Sequence, residues 1–188
     1  MPNFDYYYRR WAPEVRMSGL ERLASGCAGK SVLDLGSAEG LVARCFLQGG
    51  AAVLHGVDIV SDRVIAAREV CGDFGNASFW QADLSDWPTF RARHAGHLLP
   101  WYDVVLYLGL HHHLPAASRG STLAGAAAMS GDVFALRTSE ACYQEGQAAK
   151  KLQSWGFRLL LEHRSQTVQD LGTLRIFSRS ESGASKRD

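Results

Sequence analysis

The chain has 188 residues and a mass of 20.6 kDa, which at roughly 100 to 200 residues per domain gives one domain with a substantial core and excludes a two-domain enzyme. Hydrophobic residues make up 46% and charged residues 21%, the balance of an ordinary soluble globular domain and not of a disordered chain. A formal charge of +1 excludes a global field that would draw the protein onto nucleic acid or anionic membrane, leaving room only for a local basic patch.

No run reaches the roughly 18 consecutive apolar residues that cross a bilayer, and the start MPNFDYYYRRWAPE lacks the charged-then-apolar layout of a secretion signal. The expected location is the cytoplasm, with no membrane partner. Cys27, Cys45, Cys71 and Cys142 form no CxxC pair, so neither a zinc site nor a disulfide framework is expected, and the thiols read as small apolar groups.

Residues 1–30 form an aromatic opening, with Phe4, Tyr6, Tyr7, Tyr8 and Trp11 beside Arg9 and Arg10. A helix is predicted from Pro13 to about Ala24. The opening could fold over a site as a cap or lid, or staple the segment onto the body of the protein. From residue 31 onward, short apolar runs alternate with helical patterns, the sign of a parallel sheet with helices on both faces. Predicted strands are 31–36, 52–59, 77–83, 102–110, 131–139, 157–165 and 172–180. Between them, 40–50, 61–72, 114–131 and 140–156 read as helices, the second with Ser61 and Asp62 as cap candidates. The stretch 84–100 is ambiguous because Pro88 and Pro100 interrupt it. Residues 166–171 are too few for a crossover helix, so the last two strands should pair as an antiparallel hairpin at the sheet edge. The fold class is therefore α/β, a three-layer sandwich around a seven-stranded, mostly parallel sheet. The main domain spans 31–180, and a polar tail, 181–188, follows.

The most informative stretch runs Asp34, Leu35, Gly36, Ser37, Ala38, Glu39, Gly40, a buried strand entering a turn and then a helix. Gly36 lets the backbone approach a ligand with no Cβ in the way, Gly40 admits close helix packing, and the helix N-terminus offers N–H groups to an anion. A dinucleotide fingerprint wants G-x-G-x-x-G, and the spacing from Gly36 to Gly40 departs from it. Asp34, inside the strand, suits a ligand bearing an ammonium group. Asp58 and Asp83 stand at the carboxyl ends of the second and third predicted strands, where open α/β sheets bind ligands. Asp58 lies 18 residues beyond Gly40, near the roughly 20-residue offset at which an acid accepts ribose hydroxyls. Asp83 can accept from an adenine amino group, with Ile59 and Leu84 on the ring faces. Taken singly, each acid also reads as a cap or turn former.

Together these segments resemble the class I S-adenosylmethionine-dependent methyltransferases, from about Ser31 to Arg179. DLGSAEG looks like the family's D-x-G-x-G-x-G loop with Ala38 at the middle glycine. VDI at 57–59 is similar to the ribose motif, ADLSDW at 82–87 to the adenine motif, and YDVVLYLGLHHHLP, through Leu108 and the histidines, to the motif lining the reaction site. The resemblance implies an S-adenosyl-L-methionine pocket with S-adenosyl-L-homocysteine as product. Gly36, Ser37, Ala38 and Gly40 would lie along the methionine part, Asp34 near its amino group, Asp58 on the ribose and Asp83 on the adenine, with Leu108 of the fourth predicted strand also against the cofactor. Arg16 and Arg22 are candidates for its carboxylate.

The sulfonium methyl is already activated, so the protein chiefly has to align a nucleophile and exclude water. A hydroxyl or ammonium acceptor also needs a base, and His111 or His112, just past the fourth strand, is the candidate. A metal role for the histidine run is disfavoured, since adjacent rings converge poorly and no acid completes a set. The fourth-strand motif resembles the L-H-H-L form of small-molecule methyltransferases, not the N-P-P-Y or D-P-P-Y form, and the Lys-Asp-Lys-Glu tetrad of ribose RNA methyltransferases is not found. A small-molecule acceptor is favoured over nucleic acid. A noncatalytic partner subunit, an RNA methyltransferase and an NAD(P) oxidoreductase remain the competing readings, and oligomeric state is left open.

Overall fold

Seven apolar runs form the strands β1 (Ser31–Leu35), β2 (Val53–Asp58), β3 (Ala77–Gln81), β4 (Tyr102–Leu108), β5 (Ser130–Thr138), β6 (Phe157–Arg164) and β7 (Thr173–Arg179). The structure is a computed structural model that describes residues 13–138, 145–165 and 171–179. The aromatic opening with its expected cap or lid, Cys142 and the polar tail lie outside the described residues.

The strands make one sheet in the order β3-β2-β1-β4-β5-β7-β6. β1 to β5 run parallel, and β7 is antiparallel to both β5 and β6. The expected antiparallel hairpin is present, with β6 as the outer strand. Among the described residues seven helices cover the sheet: α1 (Pro13–Met17), α2 (Glu21–Ser25), α3 (Leu41–Gln48), α4 (Ser61–Val70), α5 (Trp87–His94), α6 (Arg119–Met129) and α7 (Glu145–Ser154). One core cluster packs α1 to α4 on Val32, Leu54, Leu106 and Ala135, and the other packs α5 to α7 on Leu33, Val105, Tyr107 and Phe134. Alternate residues of β1, β4 and β5 thus serve opposite faces, which is why these strands read as unbroken apolar runs. The chain changes face between β1 and β4, which pair directly, so a crevice opens at their carboxyl ends.

Three local expectations are corrected. The single helix predicted over Pro13–Ala24 is two helices, because Gly19 takes φ +83° between them. A Cβ there would stand 2.6 Å from the His163 ring and 2.9 Å from Leu174, so the chain dips onto the sheet at this point. Ser18 Oγ lies 2.9 Å from His163 Nε2, and the Arg137 guanidinium donates to the Arg16 and Ser18 carbonyls, holding the bend. The cap of α4 is Val60, with no side-chain cap bond, and Ser61 and Asp62 sit exposed in the first turn. β3 stops at Gln81, two residues before Asp83. The ambiguous stretch after it contains α5, started by Asp86, whose side chain accepts the Thr89 N–H, with Pro88 in the first turn.

Candidate active site

The glycine loop joins β1 to α3. Gly36, Ala38 and Gly40 all have positive φ (83°, 47° and 77°), and Ala38 is the one non-glycine residue in that region among the described residues. Gly40 is needed for packing as well as for its turn, since a Cβ there would lie 3.0 Å from Ala67 on α4. At Gly36 the neighbour is Leu110, 3.5 Å from the Cβ position, so the segment after β4 closes over the loop.

The loop amides are already engaged. Gly36 and Ser37 N–H donate to the Val57 carbonyl at 2.8 and 2.9 Å, Ala38 N–H to Asp58 Oδ2 at 3.0 Å, and Gly40 N–H to the Ser37 carbonyl at 3.0 Å. These four amides bind β2 and the loop itself, so an anion at this turn would meet the N-terminus of α3, which begins at Leu41, and not these groups.

Asp34 is buried on β1, and its Oδ2 has no hydrogen-bond partner. Burial pushes its carboxyl up to about 7, Asp58 adds to the rise, and Arg16 opposes it. Ser37 is buried with its Oγ unpartnered. Asp58 ends β2 and takes the Ala38 and Val60 N–H groups on separate oxygens, each of which keeps a second lone pair. Ile59 beside it is 59% exposed. Asp83 is exposed and accepts the Ser85 N–H at 2.8 Å. Leu84 turns its side chain into the core with Trp87 and Phe90, and its carbonyl accepts from Thr122 Oγ1. Leu108, half-buried, ends β4 opposite Arg137 of β5.

Glu39, Arg137 and Thr138 were not singled out in the sequence. Glu39 is buried and accepts from Arg16 Nη1 at 2.9 Å, with Arg63 Nε 3.6 Å away. Arg16 thus reaches the loop from α1, whereas Arg22 is exposed on α2. Arg137 and Thr138 are buried at the end of β5, with Arg137 Nε and Thr138 Oγ1 unpartnered. Glu39 had a sequence signal, a charge inside an otherwise small-residue loop. Arg137 and Thr138 had only their place at a strand end.

Of the three histidines, His111 is buried with its Nδ1 3.3 Å from Tyr107 Oη, and burial, then Arg119, Lys151 and His112, push its imidazole down to about 4. His112 is half-buried, its Nδ1 is enclosed and unpartnered, and burial, His113 and Arg119 lower its pKa. His113 is exposed and its ring packs against that of His112 at a 43° tilt, with centroids 4.1 Å apart. Among the described residues no group of three or more His, Cys, Asp or Glu side chains could hold a metal ion, and no helix is long and apolar enough to cross a membrane.

No protein-family model matches the sequence, and a search of curated proteins finds no match. Solved structures do match. The magnesium protoporphyrin IX methyltransferase ChlM from Synechocystis PCC 6803, solved with bound SAM, superposes with a TM-score of 0.67 at 20% identity, over 86% of this chain and 76% of that one. The N-methyltransferase NodS from Bradyrhizobium japonicum WM9, in complex with S-adenosyl-L-homocysteine, gives 0.70 at 12% identity over 94% and 92%. A proposed RNA methyltransferase from Pyrococcus horikoshii gives 0.64 at 20% identity over 86% and 81%. The chain has the Rossmann-like fold of the class I S-adenosylmethionine-dependent methyltransferases.

Proposed function

We propose that the protein is an S-adenosyl-L-methionine-dependent methyltransferase acting on a small molecule and releasing S-adenosyl-L-homocysteine. One observation carries this reading. Six side-chain polar atoms are buried without a partner among the described residues, and five of them, Asp34 Oδ2, Ser37 Oγ, His112 Nδ1, Arg137 Nε and Thr138 Oγ1, belong to residues at or just beyond the carboxyl ends of β1, β4 and β5. An unpartnered buried polar atom costs about 1–3 kcal/mol, so their concentration at the carboxyl ends of neighbouring strands fits a place where a ligand supplies partners.

The residues suit the cofactor. Asp34 would meet its ammonium group and Arg16 its carboxylate, the remaining lone pairs of Asp58 would take ribose hydroxyls, and Ile59, Asp83 and the Leu84 backbone would border the adenine. A pyrophosphate fits less well, because the amides of Gly36, Ser37, Ala38 and Gly40 are spent within the chain. The bound cofactor supplies an activated methyl group whose bond to sulfur breaks as an acceptor lone pair bonds to the carbon. The protein's part is to hold the acceptor in line and exclude water. His112 is the candidate to take the proton of a hydroxyl or ammonium acceptor, His111 would line the acceptor side, and Leu108 would border the cofactor. A single domain with the LGLHHHLP segment favours a small acceptor, as does the substrate for which ChlM is named.

Radiolabelled methyl transfer into cell extract, separated into small-molecule, protein and RNA fractions, tests the proposal. Label should enter the small-molecule fraction. Label confined to RNA, or to no fraction, overturns it.

A further inference from the structure

Tyr107 is fully buried on β4, and among the described residues its hydroxyl has one hydrogen-bond partner, His111 Nδ1. A phenol can donate and accept, while a neutral imidazole has one N–H and one bare nitrogen, so two arrangements compete. With the proton on Nδ1, the ring would donate to Tyr107 and the phenol's own hydrogen would point into the core with nothing to accept it, leaving a buried donor unpaired. With Tyr107 donating to a bare Nδ1, both groups are satisfied and the imidazole proton sits on Nε2. That nitrogen makes no hydrogen bond among the described residues and is not one of the enclosed unpartnered atoms, so on this buried ring it is the nitrogen that keeps some accessible surface.

Among the described residues, the charged and titratable groups that act on His111 are His112 on the same loop, Arg119 on α6 and Lys151 on α7, with Tyr107 behind it. Arg119 is fixed there by donating to the Leu114 carbonyl at 3.0 Å and the His112 carbonyl at 3.3 Å. Lys151 Nζ lies against the first turn of α6, 3.5 Å from where a Cβ on Gly120 would stand. Burial and these cations keep the His111 ring neutral, so its outward group is an N–H in a positive field.

We infer that Tyr107 is a positioning residue holding His111 as its Nε2–H tautomer, so that His111 meets the methyl acceptor as a hydrogen-bond donor, not as a base, and meets it at an oxygen anion such as a carboxylate or phenolate. The identity of that molecule rests on the methyltransferase reading. The tautomer does not.

Nitrogen-15 NMR of histidine ring nitrogens in the ligand-free protein tests the inference, with the His111 signals assigned by their loss in His111→Gln. The wild type should carry the proton on Nε2 and a bare Nδ1 between about pH 5 and 8; a proton on Nδ1 overturns the inference. Tyr107→Phe should populate both tautomers, and an unchanged His111 signal in the folded variant overturns the role of Tyr107. If that variant does not fold, the wild-type spectrum still decides. Benzoate, used as the probe, should shift the Nε2 signal at about tenfold lower concentration than benzylammonium, and an equal or weaker response overturns the assignment to an oxygen anion. Failure of S-adenosylmethionine to bind would remove the methyltransferase reading and leave the tautomer result standing.

Discussion

The backbone N–H of Ala38 donates to Oδ2 of Asp58 across 3.0 Å, tying the middle of the glycine loop to the end of β2. The same carboxylate holds the entry to α4 through Val60, so one buried side chain sets the position of both walls of the proposed ribose site. Asp58→Ala should weaken S-adenosylmethionine binding by about 1–3 kcal/mol, since it removes the acceptor and releases the loop amide. Calorimetric titration of the folded variant checks this, and unchanged affinity would refute the ribose assignment.

Ala38 holds φ +47° where the family pattern has glycine. A left-handed conformation costs a non-glycine residue about 1–2 kcal/mol, and glycine's greater freedom in the unfolded chain gives back about 0.4–1 kcal/mol of that. Ala38→Gly is therefore expected to raise stability by up to about 1.6 kcal/mol, at roughly 2–4 °C in Tm per kcal/mol for a chain of this size. A lower Tm would mean that the alanine methyl makes packing contacts that outweigh its strain.

The sheet was legible because burial on both faces leaves β1, β2, β4 and β5 as continuous apolar runs, and the glycines and acids between them mark turns. The break at Gly19 was not legible, since it depends on His163 and Leu174, which come from β6 and β7 more than 140 residues later. The acids Asp34, Asp58 and Asp83 could be picked out as strand-end charges, but the engagement of the loop amides with Val57 and Asp58 is a property of strand register. Thr138 and Arg137 carried no pattern at all: a polar residue at the end of a strand becomes informative only when its side chain is found buried without a partner.

Stability should respond to pH through two opposed groups. Asp34 titrates near 7 when folded and near 3.8 when unfolded, so the folded chain holds an extra proton between these values and the stability contributed below about pH 4 is lost as pH rises through 7. His111 falls to about 4 from 6.5, so the unfolded chain binds the extra proton and stability is gained over that interval. Asp34→Asn removes the falling component. Its unfolding free energy, from urea melts, should climb more steeply between about pH 4 and 6.5 than that of the wild type, by up to about 1.4 kcal/mol per pH unit. Parallel profiles would contradict the raised carboxyl.

His112→Ala should lower turnover while leaving S-adenosylmethionine affinity intact, because the ring belongs to the proposed acceptor side and lies after β4, outside the glycine loop. The loss for a general base is about 10²–10⁴-fold. Steady-state rates together with a binding titration separate the two effects, and full activity in this variant would take the base out of the account.

Titration calorimetry of the purified protein with S-adenosylmethionine, S-adenosylhomocysteine and NAD bears most directly on the crevice being an S-adenosyl site. The account predicts saturable one-to-one binding of both S-adenosyl compounds, lost or weakened in Asp34→Ala and Asp58→Ala, and no comparable heat with NAD. Preferential binding of NAD, or no binding of either S-adenosyl compound by the folded protein, would contradict it.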